Sequence, residues 1–308
     1  MFTRPIVVIG SINMDLVARA PRIPAAGETL TGTDFVTTPG GKGANQAVAA
    51  ARLDTHVQMI GAVGQNSSQD VFGESLLANL ANAAVDTRAV ARVPGPSGIA
   101  QIQIADSGQN SIVVVPGANH AVTPALIRRH TSLIQAAGIV LLQLEIPLET
   151  VLAACQICTE AQVPVILDPA PASFLPEAIF PQLAWFTPNE TELGLYTGSG
   201  FPPETAARQL LARGVHGVAL KRGAEGVHIA TAAGESAWIP AFPVEAIDTV
   251  AAGDCFNGAF AVALLEGDSP ASAARFASAA AAISVTRRGA QAAMPTREEV
   301  DAFLTQHT

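Results

Sequence analysis

The segment from Asp248 to Asp254 has the clearest chemical potential, because a series of small residues leads into a helical stretch that begins with a carboxylate. Small residues leave backbone N–H groups accessible, and the helix dipole favours negative charge there. The segment therefore predicts an anion hole for a transferring phosphoryl group, with Asp254 at its rim to accept a proton from an attacking hydroxyl. Stabilising the first helical turn is an equally good role for Asp254 on this pattern alone. Cys255 is a poor candidate nucleophile, because no histidine lies nearby in sequence.

A second polar segment, Gly10 to Asp15, follows a short apolar strand. Asn13 and Asp15 alternate with the apolar residues Ile12 and Met14, so the two polar side chains share one face. An amide and a carboxylate on one face can divide the hydroxyls of a sugar between donor and acceptor hydrogen bonds. An ordinary Asx turn is the alternative. The segment holds one glycine and so lacks the G-x-G-x-x-G pattern of a dinucleotide site.

The stretch from Pro39 to Gln46 is a glycine-rich turn that leads into a helix. Its three glycines let the backbone approach a ligand closely, while Lys42 and Asn45 add polar side chains. It is not a P-loop, because the first glycine of that motif is missing and no Ser or Thr follows Lys42. A plain strand-to-helix turn is the alternative.

Thr187 to Glu192 lies where a strand enters a helix. Asn189 and Glu192 are three residues apart and meet on one helix face. This placement suits water-mediated contacts to Mg²⁺ and phosphate, since Mg²⁺ prefers oxygen ligands and keeps its waters. Helix capping is the alternative role for both residues.

Histidine and cysteine patterns give little support to other chemistries. The six histidines form no H-E-x-x-H, and G-x-S-x-G is absent, so zinc-protease and α/β-hydrolase mechanisms are not indicated. Cys155 and Cys158 form a C-x-x-C within a helical stretch that has no second pair or nearby histidine. That pattern favours buried packing over a redox or metal site.

Composition and charge limit the classes of partner that we expect for this protein. The chain has 308 residues, 49% of them apolar, and a net charge of −9. It has no clustered basic face, so we expect no nucleic-acid partner. Its apolar runs are too short or too interrupted for a bilayer, and no signal peptide is evident, so we expect no membrane association. Three cysteines, a sparse and odd number, fit the reducing cytoplasm.

Short β-branched runs alternate with alanine-rich helical stretches, which predicts an α/β fold with a mainly parallel sheet. Helices are expected at 42–53, after Thr123-Pro124, and after a capping box at 296–299. The predicted strands share apolar, β-branched composition and fall at 6–10, 57–61, 139–145, 163–169, 185–190 and 217–223.

Two segments, 12–37 and 97–115, depart from this alternation. The second predicts a β-hairpin, and the two together predict a small β-sheet that stands off the main layer. Such a lid would cover a ligand at the carboxyl ends of the parallel strands. Because the sheet is thin, we expect a homodimer that buries its open face. A decorative edge extension is the alternative.

Taken in order, these motifs resemble the PfkB family of carbohydrate kinases almost end to end. GSINMDLV, GGKGANQAVAAAR, LLQLE, DPAPA, TPNETE, DTVAAGDCFNGA and RRGAQAAMP carry the resemblance. It implies one kinase domain over 1–308, a three-layer αβα sandwich with a mainly parallel central sheet and a β-sheet lid. It also implies ATP-dependent phosphorylation of D-ribose at O5, with Mg²⁺ and K⁺. Another sugar or nucleoside kinase of this family is the alternative, and a non-catalytic sugar-binding protein is a more distant one.

The same resemblance assigns roles to individual residues. Asp254 would be the general base, and Ala252 and Gly253 would supply the donors of the anion hole. The sugar would be bound by Asn13, Asp15, Gly41, Lys42, Asn45, Glu145 and Asp254. ATP would contact Asn189, Lys221, Arg222, Gly223, Ala224, Glu225, Gly226, Gly253 and Ser278. Water-mediated Mg²⁺ would involve Glu192. A K⁺ ion would be held by Asp248, Val250, Ser284, Arg287, Gly289 and Ala293.

Three positions depart from the common pattern of the family. Lys221-Arg222 replaces Thr-Leu, which alters the nucleotide contact. Ser278 replaces a histidine expected near the adenine, and Ala293 replaces a serine that assists the cation site.

Overall fold

A computed structural model describes residues 4–65, 70–198 and 200–307. Within these ranges the main sheet has nine strands, which are β1 (Ile6–Ile9), β4 (Val57–Gly64), β5 (Val85–Val93), β8 (Ile139–Leu142), β9 (Val165–Leu167), β10 (Trp185–Phe186), β11 (Gly217–Lys221), β12 (Gly226–Thr231) and β13 (Ser236–Pro240). Their order is β13-β12-β11-β10-β9-β8-β1-β4-β5. The pairs β11–β12 and β12–β13 are antiparallel, and the other pairs are parallel. The expected mainly parallel sheet is therefore confirmed.

Helices cover both faces of this sheet. They are α1 (Lys42–Ala51), α2 (Gly73–Asn82), α3 (Pro124–Arg128), α4 (Thr131–Ala136), α5 (Leu148–Ala161), α6 (Glu190–Thr197), α7 (Pro203–Ala212), α8 (Ala252–Glu266), α9 (Pro270–Val285) and α10 (Arg297–Gln306). Short 3₁₀ turns occur at Gly117–Ala121, Glu177–Gln182, Gly223–Glu225 and Gln291–Ala293.

The central strand β1 shows why the layers form. All four of its residues are fully buried. Ile6 and Val8 pack with α1, α8 and α9, whereas Val7 and Ile9 pack with α5 on the opposite face. A strand that is buried on both faces needs an uninterrupted apolar run, as IVVI provides.

Several strands end earlier at their carboxyl ends than the apolar runs predict, whereas β4 extends past the predicted 57–61 to Gly64. β8 stops at Leu142 rather than 145, β10 at Phe186 rather than 190, and β11 at Lys221 rather than 223. The residues that follow are polar and turn out of the ladder to a shared edge of the sheet. The carboxyl ends of parallel strands meet at that edge, where open α/β sheets bind their ligands.

The lid predicted from 12–37 and 97–115 is a separate sheet of four strands. It consists of β2 (Asn13–Ala20), β3 (Asp34–Gly40), β6 (Gly98–Ala105) and β7 (Asn110–Val115), in the order β3-β2-β6-β7. The β6–β7 hairpin is confirmed as an antiparallel pair, whereas β2 and β6 run parallel. Every residue of β7 is exposed, although IVVV is apolar.

Local signals placed several helices correctly. Thr123 accepts a hydrogen bond from the Leu126 N–H at the start of α3, and Thr296 forms the expected capping box with Glu299. Cys155 and Cys158 are buried thiols of α5, which confirms the packed-helix interpretation. Within the described ranges, the helices are too short or too polar to cross a membrane.

Candidate active site

The carboxylate of Glu145 organises the end of the site at which the sequence predicts sugar binding. Its Oε2 atom accepts hydrogen bonds from Ser11 Oγ at 2.5 Å, from the Lys42 backbone N at 3.2 Å and from Asn13 Nδ2 at 3.5 Å. These donors come from the loop after β1, from β2 and from the start of α1. The structure therefore brings Asn13, Lys42 and Glu145 together as the sequence predicted.

Asn119 fixes the orientation of the Asn13 side chain. Its Nδ2 donates to Asn13 Oδ1 at 2.7 Å, and its Oδ1 accepts from the Ile12 N–H at 2.9 Å. The Asn13 amide group is thereby set with its NH₂ toward Glu145. Sequence reasoning missed Asn119, because it lies 106 residues away along the chain.

Glycine is required at two positions of the GGKG motif. Gly41 has φ of +88°, a left-handed conformation that L side chains rarely adopt. A Cβ on Gly43 would lie 2.7 Å from the Ser11 backbone N, so this residue lets α1 approach the loop after β1. The motif therefore works as a close junction that brings the Lys42 backbone N and the Asn13 side chain to the same Glu145 oxygen.

Asp254 lies in the first turn of α8, buried against α1. Its Oδ2 accepts from Asn45 Nδ2 at 3.0 Å, and its Oδ1 accepts from Gln46 Nε2 at 3.1 Å. Burial and the nearby Asp168 carboxylate raise the pKa of Asp254, while Lys42 and the two amide donors act in the opposite direction. A raised pKa makes this carboxylate a better proton acceptor than an exposed aspartate would be.

A network of amides connects Asp254 to a second buried carboxylate. The NH₂ group of Gln46 also donates to Asp168 Oδ2 at 3.1 Å, and its Oε1 accepts from Gln143 Nε2 at 2.7 Å. The Gln143 bond fixes the Gln46 amide so that its NH₂ faces both carboxylates. Asp168 in turn forms an ion pair with Lys221 Nζ at 2.9 Å.

In these acidic surroundings the pKa of both Asp15 and Lys42 is raised, which favours a neutral Asp15 and a charged Lys42. Burial, together with the carboxylates of Glu145 and Asp254, raises the pKa of Asp15 to about 7. Burial alone would lower the pKa of the Lys42 ammonium, but the surrounding carboxylates, with Asp254 first, outweigh it and raise that pKa. Lys42 therefore remains a cation in the site.

The N-terminus of α8 faces a cleft of about 290 Å³. Ala251 precedes the helix with φ of 60°, a left-handed conformation that favours glycine. The first N–H groups of a helix have no partner within it. Ala252 and Gly253 line the cleft at this point, so their N–H groups are placed to meet an anion.

The predicted ATP residues divide between the cleft and its surroundings. Asn189, Lys221, Gly223 and Gly253 line the cleft. Arg222 instead forms ion pairs with Glu190 and Glu225. Ser278 lies in α9, where its buried hydroxyl has no hydrogen-bond partner in the described part of the chain.

Glu192 lines the cleft and also caps α6. Its carboxylate accepts from the backbone N of Asn189 and from Asn189 Nδ2, both at 2.9 Å, while Asn189 Oδ1 accepts from the Glu192 N–H. The capping role weighed from the sequence is thus present. Burial raises the pKa of Glu192 most strongly, and Lys221 opposes that effect.

The two segments predicted to hold K⁺ lie side by side. Asp248 Oδ2 accepts from the Gly289 N–H at 2.9 Å, and its Oδ1 accepts from the Val250 N–H at 3.0 Å. Ser284 and Ala293 are buried, whereas the Arg287 guanidinium turns away to Glu299. Backbone carbonyls and one carboxylate are oxygen donors that suit a hard cation.

Sequence reasoning named most of the polar residues that the structure brings together at this edge of the sheet, but not the polar network beneath them. Gln46 and Asp168 lie inside quoted motifs, GGKGANQ and DPAPA, yet their roles depend on long-range contacts. Gln143 lies in the motif LLQLE, two residues before Glu145. For Gln143 and Asp168, the available signal was a polar residue directly after a buried strand, whereas Gln46 lies within α1 and had no such signal.

The chain belongs to the pfkB family of carbohydrate kinases, whose family model matches residues 3–297. A curated relative from Bacillus subtilis (strain 168), named ribokinase, is 45% identical over 98% of this chain and 100% of its own length. The crystal structure of ribokinase from Thermotoga maritima superposes with a TM-score of 0.90 at 41% identity, over 98% of this chain and 99% of that chain.

A structure of Arabidopsis thaliana ribokinase complexed with ribose and ATP has a TM-score of 0.91 at 34% identity, again over 98% of this chain and 99% of that one. These similarities confirm the family assignment and the three-layer αβα fold with its β-sheet lid.

Proposed function

We propose that this protein transfers the γ-phosphoryl group of ATP to O5 of D-ribose. The observation that carries the proposal is the position of Asp254. Its carboxylate is bonded to Asn45 of the sugar-facing site and also lines the cleft at the N-terminus of α8. It is therefore placed where a sugar hydroxyl and a phosphoryl group would meet. The similarity to ribokinases, including one complexed with ribose and ATP, supports this choice of substrates.

The reaction follows from that placement. Asp254 takes the proton of the ribose hydroxyl as its oxygen forms a bond to the γ-phosphorus. The bond between that phosphorus and the bridging oxygen breaks, and ADP leaves with the electron pair. The N–H groups of Ala252 and Gly253 stabilise charge on the transferring phosphoryl oxygens. Lys42 supplies a fixed positive charge at the same point.

Selection of the sugar depends on hydrogen-bond acceptors and donors that are held in fixed orientations. Asn119 sets the Asn13 amide, and Glu145 is held by three donors, so both face the site at little conformational cost. Asp15, Gly41 and Asn45 complete the set of predicted sugar-binding residues. Polyhydroxyl ligands suit such a surface better than a nucleoside, which would need more apolar cover.

Mg²⁺ and K⁺ belong to the proposal. Glu192 and Asn189 would hold Mg²⁺ through water, and the ion would neutralise the phosphates of ATP when bound. The segments around Asp248 and Ser284 would hold K⁺, with a water in place of the hydroxyl absent at Ala293. Because the first of these segments leads directly into α8, an ordered cation site would fix the anion hole.

The lid supports a homodimer. Its exposed residues include several large apolar side chains, which cost free energy when they face water. They are Phe35, Val36, Ile112, Val113, Val114 and Val115. A second copy of this sheet is a partner of the same chemistry, and pairing would cover the open edges. We further propose that the protein acts in the cytoplasm, because its three cysteines are free and buried.

A panel of sugars and nucleosides with ATP and Mg²⁺ tests the function. ADP release should be fastest with D-ribose, slower with 2-deoxyribose and arabinose, and close to background with adenosine. Preference for a nucleoside would assign the chain to another branch of the family. The absence of turnover with every acceptor, in protein that still binds ribose, would favour a sugar-binding role.

A further inference from the structure

The sequence contains only two lysines, Lys42 and Lys221, while its other fifteen basic residues are arginine. Both lysines line the same cleft beside Asp254. Both side-chain ammonium groups of the chain, which are compact and strongly hydrated, therefore lie at one site, and arginine is used everywhere else. Lysine offers a point charge with three rotatable donors, which suits a phosphate whose geometry changes during transfer.

The Lys221 ammonium lies above the first turn of α8. Its Nζ is the nearest atom to Gly253 on the cleft side, 3.5 Å from the point that a Cβ on that residue would occupy. The side chain is 13% exposed, so the charge is largely shielded from solvent. A cation at this distance from the anion hole acts on the same phosphoryl oxygens as the helix N-terminus.

Asp168 holds that ammonium in place. Asp168 Oδ1 accepts from Lys221 Nζ at 2.9 Å, and its carboxylate is only 3% exposed. An ammonium has three N–H donors, and this carboxylate occupies one of them. The pair can therefore keep Lys221 oriented while the remaining donors face the cleft.

We propose that Lys221 contacts the transferring phosphoryl group as a second catalytic cation, and that Asp168 is its positioning residue. The inference rests on the proposed function. As the ribose oxygen bonds to the γ-phosphorus and the bond to the bridging oxygen breaks, negative charge develops on the oxygens of the transferring phosphoryl group and on the bridging oxygen that leaves with the β-phosphate. Lys221 neutralises that charge without giving up a proton, and the electron pair leaves with ADP. Asp168 acts on the phosphoryl group through Lys221 and does not contact it.

Kinetics of single and double variants test the two roles. Lys221→Met should lower kcat by about 10²-fold, the loss typical of removing one transition-state donor, with ribose KM unchanged. Asp168→Asn should lower kcat less. Asp168→Asn combined with Lys221→Met should match Lys221→Met, because the ammonium that Asp168 positions is already gone and the asparagine oxygen can still accept the Gln46 hydrogen bond. Lys221→Arg should restore part of the rate. Arg92→Met, which removes one exposed positive charge far from the cleft, should behave as the wild type.

Amine labelling gives a readout that does not need turnover. With two lysines, modification by acetic anhydride can be assigned to each residue by peptide mass spectrometry. ATP should protect Lys221, whereas AMP, which lacks the β- and γ-phosphates, should not. If Lys221→Met folds poorly because Asp168 has lost its ion-pair partner, the comparison of ATP with AMP can still be made on the wild-type protein.

The inference is overturned if Lys221→Met keeps the kcat of Arg92→Met, or if ATP and AMP protect Lys221 equally. A double variant that loses much more activity than Lys221→Met would show that Asp168 acts on its own. Failure of the wild-type protein to phosphorylate ribose would instead reject the proposed function, and the labelling result would still stand.

Discussion

Asp15→Asn should change how the stability of the ligand-free protein depends on pH. Burial and the carboxylates of Glu145 and Asp254 raise the pKa of Asp15 from 3.8 to about 7 in the folded protein. Between these two values the folded chain holds a proton that the unfolded chain has released. Folding therefore takes up a proton in this window, and the wild type loses stability as pH rises toward 7.

The size of the stability change follows from the pKa shift of Asp15. Each pKa unit corresponds to about 1.4 kcal/mol, so a rise from pH 5.5 to about 7 costs the folded state about 2 kcal/mol at this residue. Above pH 7 the contribution levels off, because Asp15 is then ionised in both states. An asparagine at this position does not titrate, so it makes no pH-dependent contribution to stability.

Urea unfolding of both proteins at pH 5.5 and pH 8 measures this difference. The free energy of unfolding of the wild type, relative to Asp15→Asn, should fall by about 2 kcal/mol between the two pH values. Asp106→Asn, an exposed carboxylate in the turn between β6 and β7, should show no such change. An equal difference between wild type and Asp15→Asn at both pH values would refute the argument that Asp15 is protonated in the folded site.

Three further outcomes follow from the structure. KCl, titrated against choline chloride at constant ionic strength, should raise kcat more than it changes ribose KM. Ala293→Ser should lower the KCl concentration that is required for this activation. A flat response in potassium-free protein would reject the cation site. Sedimentation should find a dimer at micromolar concentration that Val113→Asp converts to monomer, and a wild-type monomer would contradict the lid interface. Gly43→Ala should weaken ribose binding and lower the free energy of unfolding by about 1–3 kcal/mol, because the added Cβ would overlap Ser11. An unchanged ribose KM would show that the close junction is not needed.

Local patterns predicted the mainly parallel sheet and the lid hairpin of this chain, but they missed strands β5, β12 and β13. The alternation of β-branched and alanine-rich stretches gave the parallel sheet, and IAQIQIA with SIVVV gave the hairpin of the lid. Strand ends were less accurate, because an apolar run such as IVLLQLE does not mark where the backbone leaves the ladder. Leu142 is the last paired residue there, and the next residues turn toward the site.

The site was predicted in its parts but not in its connections. Asn13, Lys42, Asn45 and Asp254 were identified from motifs that place donors and acceptors next to glycines or a helix start. Hydrogen bonds that cross 100 or more residues, such as those of Gln46 to Asp168, have no local signature. The ion pair of Lys221 with Asp168 likewise depends on the order of strands β9, β10 and β11, which periodicity does not give.

The proton-accepting role of Asp254 in transfer to ribose is tested most directly with Asp254→Asn and ¹³C-labelled ribose. Phosphorus and carbon NMR would follow product formation from ATP in the wild type and the variant, and calorimetry would measure ribose binding by each. The account predicts that the wild type attaches phosphate at C5, and that Asp254→Asn binds ribose but has a kcat lower by at least about 10²-fold. Near-normal turnover by the variant, or phosphate at another carbon in the wild type, would contradict it.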